Sequence, residues 1–272
     1  MKEILEMIKE RLPDIDIEQE VDLKQKRVEW YNASEGDLHK ADGYECSACK
    51  NKGFISKIDS EGYEVLQHCK CQKIRATIQR AKRSGLGDIL KDFTFAKYEA
   101  ADSWQKEIKE KAQQFCKDDN AKWFYIGGQC GSGKTHICTA IASYYIKAGK
   151  ELRYMLWAED SKMLKANVNE DVYQEKMSEY KNVEVLYIDD FLKVKQGETP
   201  TSADINLAFE IINHRLMSND KITIISSEKQ LNEVMDYDEA TMSRIFQKTG
   251  CYKFSIPKDR SKNYRLKDKE RK

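Results

Sequence analysis

No stretch of the sequence approaches the roughly 18 uncharged apolar residues that a membrane span needs, so a helical membrane protein is excluded. The opening residues, MKEILEMIKERLPDI, interleave charge with apolar positions and lack the uninterrupted apolar core of a secretory signal. Internal repeats and low-complexity tracts are also missing. So is a large charge of either sign: 47 Lys and Arg against 46 Asp and Glu leave +1, which argues against simple electrostatic coating of nucleic acid. These absences lead to the expectation of a water-soluble, cytoplasmic protein. In that compartment its eight cysteines are metal ligands or core residues in preference to disulfide partners.

What is present fits a globular chain: 40% hydrophobic and 34% charged residues over a length of 272, enough for two domains. Charge is unevenly spread. Residues 1–45 hold 13 acidic and 7 basic side chains, Lys70 to Arg83 hold 6 basic and no acidic ones, and Pro257 to Lys272 hold 8 basic against 3 acidic. The basic runs are either solvated faces and tails or contacts for a phosphate backbone.

Ile4, Leu5, Ile8 and Leu12 recur at helical spacing until Pro13, predicting a short amphipathic helix that packs on its own domain or docks on a partner. From Tyr44 to Cys71, cysteine pairs flank GFISKIDSEGYEVLQH, a hairpin-like stretch with its turn at Glu61-Gly62. A helix over 73–83 then runs into Ser84-Gly85-Leu86-Gly87, where paired glycines predict a linker or hinge. Beyond it, strands at 123–127, 153–158, 183–188, 221–227 and 252–256 alternate with helices at about 103–116, 134–147, 160–181 and 204–217 and a last helical stretch. Alternation of this kind predicts an α/β fold with a parallel five-stranded sheet. The expected organisation is an N-terminal helix and cysteine module over 1–83, a linker over 84–95, a nucleotide-binding domain over 96–257 and a basic tail over 258–272.

The strongest local signal is Gly128-Gln129-Cys130-Gly131-Ser132-Gly133-Lys134-Thr135, which fits the P-loop pattern G-x-x-x-x-G-K-[ST] between an expected strand and helix. Gly128, Gly131, Ser132 and Gly133 let successive backbone amides face phosphates, Lys134 reaches the β and γ phosphates of ATP, and Thr135 offers a hydroxyl to Mg²⁺. Val185-Leu186-Tyr187-Ile188-Asp189-Asp190 is the matching acidic strand end. Asp189 is the candidate second Mg²⁺ ligand and Asp190 the candidate polariser of the attacking water, one methylene shorter than the glutamate common there, which predicts slow hydrolysis.

Cys46-x-x-Cys49 and Cys69-x-Cys71 lie on either side of the hairpin, so its closure brings four thiolates together for tetrahedral Zn²⁺. A redox pair or scattered free thiols, and His68 in place of Cys69, are the alternatives. Cys116, Cys130, Cys138 and Cys251 have no ligand spacing and read as small buried residues, with Cys130 a candidate for alkylation.

Taken together, GQCGSGKTH, VLYIDDFLK, TIISSE, Ser243-Arg244-Ile245 and the preceding RSGLGDILKDFTF resemble AAA+ helicase loaders of the DnaC and DnaI type, relatives of the transposition ATPase IstB. The resemblance covers most of the chain. It implies an AAA+ P-loop NTPase behind a small zinc-binding domain that meets the helicase; only Pro257 to Lys272 follow the last expected strand, too few for the helical lid of most AAA+ proteins, so no full lid domain is expected. It implies an ATPase, slow and dependent on self-association, that loads a replicative hexameric helicase onto single-stranded DNA. It further implies a γ-phosphate sensor at Ser227 or Glu228, where relatives often carry asparagine, and an arginine finger at Arg244, with Arg215 a rival. Arg265 is a candidate stand-in for a lid arginine or a DNA contact. An IstB-like transposition helper and a zinc-dependent DNA-binding regulator holding ATP as a structural ligand are the competing functions.

Overall fold

The computed structural model describes residues 17–195 and 197–267. The amphipathic helix expected over residues 1–12 and the end of the basic tail lie outside them. The chain divides into two compact units between Gln79 and Arg80. Among the described residues no helix is long and apolar enough to cross a membrane.

The first unit begins with helix α1 (Ile17–Ala33) and the short α2 (Leu38–Asp42), followed by strands β1 (Phe54–Ile58) and β2 (Glu64–His68). The strands pair antiparallel, Ser56 opposite Leu66. Their connection is longer than a two-residue turn: the Asp59 carboxylate accepts from the backbone N–H groups of Glu61 and Tyr63, and Gly62 takes the left-handed φ of 85°. Helix α1 is held on β1 by Asn32, whose amide donates to the Ser56 carbonyl at 2.9 Å and accepts from the Ser56 N–H at 3.0 Å. Helix α3 (Cys71–Arg83) follows the hairpin directly and crosses the division between the units.

In the second unit, β3 (Trp123–Gly128), β4 (Leu152–Leu156), β5 (Val185–Asp189), β6 (Ile222–Ser227) and β7 (Lys253–Ile256) form a parallel sheet in the order β4-β5-β6-β3-β7. Helices, beginning with α4 (Ile89–Asp92) and α5 (Ser103–Lys117), cover both faces, which is why the strands read as unbroken apolar runs. Along β3, Phe124 and Ile126 enter one apolar cluster while Trp123 and Tyr125 enter the other. Along β5, Tyr187 joins the first cluster, and Leu186 and Ile188 the second. Chain order reverses at β3, which has β6 on one side and β7 on the other, so the crevice at its carboxyl end is the natural ligand position of such a sheet.

Three details differ from the sequence reading. The helix expected over 160–181 is two helices, α7 (Trp157–Ala166) and α8 (Asp171–Asn182). Asn167 ends the first by turning its side-chain amide back to the Met163 carbonyl at 2.7 Å. Trp157 opens α7 instead of closing a strand. The stretch expected as a linker packs on the second unit: Leu86 is buried in the first cluster, Leu90 and Phe95 lie against it, and the Ser84 carbonyl accepts from Tyr154 N–H at 2.7 Å.

Arg215, on α9 (Ser202–Leu216), is fully buried. Its guanidinium donates to the carbonyls of Tyr180 (3.0 Å), Val183 (2.9 Å) and Ile222 (2.7 Å) and to the Thr223 hydroxyl (2.9 Å). That geometry overturns its rival candidacy as a finger, because the side chain is spent on fastening α8 to the sheet. Arg215→Met should leave those acceptors unsatisfied and destabilise the second unit by about 3 kcal/mol, read as a lower urea midpoint.

Candidate nucleotide site

At the carboxyl end of β3 the chain passes too close to its neighbours for side chains. A Cβ on Gly128, where φ is 111°, would lie 1.9 Å from the Ile256 carbonyl oxygen, and one on Gly131 would lie 2.0 Å from Asn263 Oδ1. Gly133, at φ 90°, turns the loop into helix α6 (Lys134–Lys147). Ser132 Oγ donates to the Gln129 carbonyl at 2.7 Å and braces the loop from within.

Lys134 is the first residue of α6 and is buried, with Nζ donating to the carbonyls of Gly128 (2.9 Å) and Gln129 (2.7 Å). Burial pulls its pKa down, opposed by Cys130, Glu228 and the two aspartates at the end of β5. Thr135 Oγ1 donates to Asp189 Oδ1 at 3.2 Å. Asp189 is itself buried and accepts from the Tyr154 hydroxyl at 3.1 Å and from Ser226 Oγ, so three hydroxyls fix its carboxylate toward the loop. Burial, and then the Asp189 charge, push the Tyr154 pKa well above its ordinary value and keep that hydroxyl a donor. A threonine hydroxyl and a carboxylate oxygen side by side at a phosphate loop suit Mg²⁺, which takes few protein ligands.

Asp190 follows in the left-handed region, φ 54°, and pairs with Lys193 at 2.8 Å. Lys193 also pairs with Glu228 at 2.9 Å. Ser227 is buried and turned elsewhere, its hydroxyl donating to the Phe191 carbonyl at 2.9 Å, so of the two sensor candidates Glu228 is the one in the cavity.

The cavity has a volume of about 430 Å³ and extends from Ser132, Lys134, Thr135 and Asp190 to an aromatic end at Phe93, Tyr98 and Tyr264. There the His136 ring stacks on Phe93 (centroids 4.9 Å apart, 20° between planes) and meets the edge of Tyr98. Of these aromatics only Phe93 lies in a motif that carries the family resemblance, RSGLGDILKDFTF, and none has a residue pattern that marks it for a nucleotide. The C-terminal segment also returns to the loop. Tyr264 N–H donates to the Gly131 carbonyl at 2.9 Å, and Arg265 lies 3.9 Å from Cys130 Sγ at the cavity wall. Arg244, exposed on α11 (Glu239–Thr249), the helix after the short α10 (Leu231–Met235), donates to Asn213 Oδ1 at 2.8 Å and does not line this cavity.

In the first unit the Sγ atoms of Cys46, Cys49, Cys69 and Cys71 all lie within 4.8 Å of one another, with Cys46 to Cys69 at 3.8 Å and Cys49 to Cys71 at 3.5 Å. Zn–S bonds of about 2.3 Å in a tetrahedron set sulfurs about 3.8 Å apart, so the donor set fits zinc. Lys50 and Asn51 take positive φ values of 47° and 64° to curl the first pair around the centre. Gly53 N–H donates to Cys49 Sγ at 3.2 Å, a bond that favours the thiolate. Behind the centre, Arg75 binds both Asp42 oxygens at 2.6 Å and Asn51 at 3.1 Å. His68 is outside the cluster and bonds Gln72 at 2.7 Å, which removes it as a substitute ligand. Of the remaining cysteines, Cys116 and Cys138 are buried as expected, whereas Cys130 and Cys251 are exposed, because one sits on the phosphate loop and the other in the turn before β7.

Among known proteins, the family described as IstB-like ATP binding protein matches residues 64–271. The uncharacterized protein YqaM of Bacillus subtilis is 32% identical over 216 residues, 75% of this chain and 68% of its own. Replicative helicase loader DnaC of Buchnera aphidicola subsp. Baizongia pistaciae is 29% identical over 133 residues, 46% of this chain and 52% of its own. The crystal structure of the DnaC helicase loader superposes with a TM-score of 0.52 at 17% identity, covering 64% of this chain and 100% of that one, a likeness of fold. With the family match running through the phosphate loop, the aspartate strand and the returning C-terminal segment, this chain belongs to the IstB-like ATP binding proteins.

Proposed function

We propose that this protein is a cytoplasmic AAA+ ATPase that binds Mg-ATP beside Asp189 and loads a replicative hexameric helicase onto single-stranded DNA. The observation that carries the reading is Thr135 Oγ1 at 3.2 Å from Asp189 Oδ1 beside the phosphate loop, in a chain with a replicative helicase loader among its relatives.

In this reading the backbone amides of Gly128, Gly131, Ser132 and Gly133, with the start of α6, cradle the phosphates, and Lys134 turns its ammonium from the loop carbonyls to the β and γ oxygens. Thr135 and Asp189 hold Mg²⁺, which when bound supplies charge neutralisation across those phosphates. Asp190 orients and polarises the attacking water. Arg244, outside its own cavity, serves the nucleotide of a neighbouring copy, which makes turnover depend on self-association. Cys46, Cys49, Cys69 and Cys71 hold Zn²⁺ in residues 1–83, the helicase-facing part, and 96–257 form the ATPase core, on which 84–95 pack. The basic stretch Lys73 to Arg83 and the tail over 258–272 offer charge for the DNA backbone.

The test mixes the purified protein with the replicative helicase of its host, with and without Mg-ATP, and follows both by size-exclusion chromatography. Co-elution that responds to nucleotide is expected. No complex under either condition, together with binding of duplex DNA, would point instead to an IstB-like transposition helper.

A further inference from the structure

A carboxylate is an awkward group to find at the γ-phosphate end of a nucleotide cavity. Glu228 lines that end together with Asp190, and a triphosphate entering there meets both negative charges. Lys193 is the side chain that answers them, at 2.8 Å from Asp190 Oδ2 and 2.9 Å from Glu228 Oε1.

Its position is built in. Residues 190–193 form a tight turn closed by Lys193 N–H to the Asp190 carbonyl at 3.0 Å, with Asp190 and Leu192 both at φ 54°. Phe191 and Leu192 are fully buried in the apolar cluster on one sheet face, and Phe191 N–H donates to the Ser226 carbonyl at 2.8 Å. Strained backbone anchored by two buried side chains leaves Lys193 little choice of direction. Burial alone would raise the Glu228 pKa, but the bond to Lys193, then its charge and that of Lys134, outweigh it and keep the carboxyl ionised. The charge at Glu228 is therefore present and offset, not removed by protonation.

We propose that Lys193 is a positioning residue of the nucleotide site, holding Asp190 and Glu228 in one cluster and halving their combined negative charge so that the cavity accepts a γ-phosphate despite its glutamate. The inference rests on the reading that ATP binds here. It assigns discrimination between triphosphate and diphosphate to Lys193 and Glu228 jointly, since only the γ-phosphate approaches them.

The experiment is calorimetric titration of the intact protein and of Lys193→Met, Lys193→Arg and the double variant Lys193→Met with Glu228→Gln, each with Mg-ATP and with Mg-ADP. Lys193→Met should weaken Mg-ATP binding about tenfold, equivalent to 1.4 kcal/mol, while Mg-ADP changes less than about twofold. Lys193→Arg should stay close to the parent. Removing the glutamate charge in the double variant should return Mg-ATP affinity to within about threefold of the parent, a recovery that a misfolded or merely loosened site would not give. Unchanged Mg-ATP affinity in Lys193→Met, equal loss for both nucleotides, or no recovery in the double variant would overturn the inference. Failure of the parent protein to take up any nucleotide is a different result, and it would overturn the underlying reading as well.

Discussion

Lys134→Ala is expected to lower Mg-ATP affinity by at least about a hundredfold while leaving the sheet intact. The ammonium is buried inside the loop, bonded to the Gly128 and Gln129 carbonyls at 2.9 and 2.7 Å, and in the proposed function it turns from them to the phosphate oxygens. A charge-assisted hydrogen bond contributes about 1.5–3 kcal/mol, and two of them to phosphate oxygens exceed the roughly 2.7 kcal/mol that a hundredfold requires. The variant is unlike one in the core, because alanine suits the first turn of α6 and the removed atoms faced the loop, not the apolar clusters. Circular dichroism should overlay that of the parent. Retained affinity within about threefold would mean that the nucleotide sits elsewhere.

The second large effect is expected in the first unit. Among its described residues, the buried apolar side chains are Val28 and three of the four clustered cysteines, Cys49, Cys69 and Cys71. So small a core cannot offset the conformational entropy of ordering the hairpin and its loops. Zinc capture can, since structural zinc sites contribute on the order of 10 kcal/mol to folding. Cys49→Ser should therefore release the metal and melt the region of 44–71, detected as loss of bound zinc and rapid proteolysis there. Mg-ATP binding by the second unit should persist, because its two apolar clusters are its own. Full protease resistance of Cys49→Ser in the presence of a chelator would show that the hairpin stands without metal.

How much of this was legible beforehand follows from the physics of each element. The five strands could be read because both faces of the sheet are covered, which forces apolar runs such as WFYI and VLYI. The phosphate loop could be read because each of its glycines answers a local steric demand. The cysteine cluster was legible from spacing alone, since closing one hairpin is enough to bring Cys46 and Cys49 to Cys69 and Cys71. Helix α1 was not legible: of its described side chains only Val28 is buried, so it carries no apolar stripe to betray it. Arg215 stands in the sequence only as a rival finger, because a buried guanidinium satisfied by backbone carbonyls leaves no pattern there. The return of Asn263 and Tyr264 to Gly131 was hidden for a related reason. It depends on a backbone hydrogen bond between segments more than a hundred residues apart, inside a run whose composition suggested only a polar tail.

Every role proposed for the second unit needs a triphosphate held between the glycine loop and Asp189 through a shared magnesium ion. Isothermal titration of the intact, zinc-loaded protein with ATP, first with Mg²⁺ and then with EDTA, decides whether that holds. One nucleotide per chain, bound at least about tenfold more tightly with the metal, is the predicted result. No uptake at all, or uptake indifferent to Mg²⁺, would contradict it.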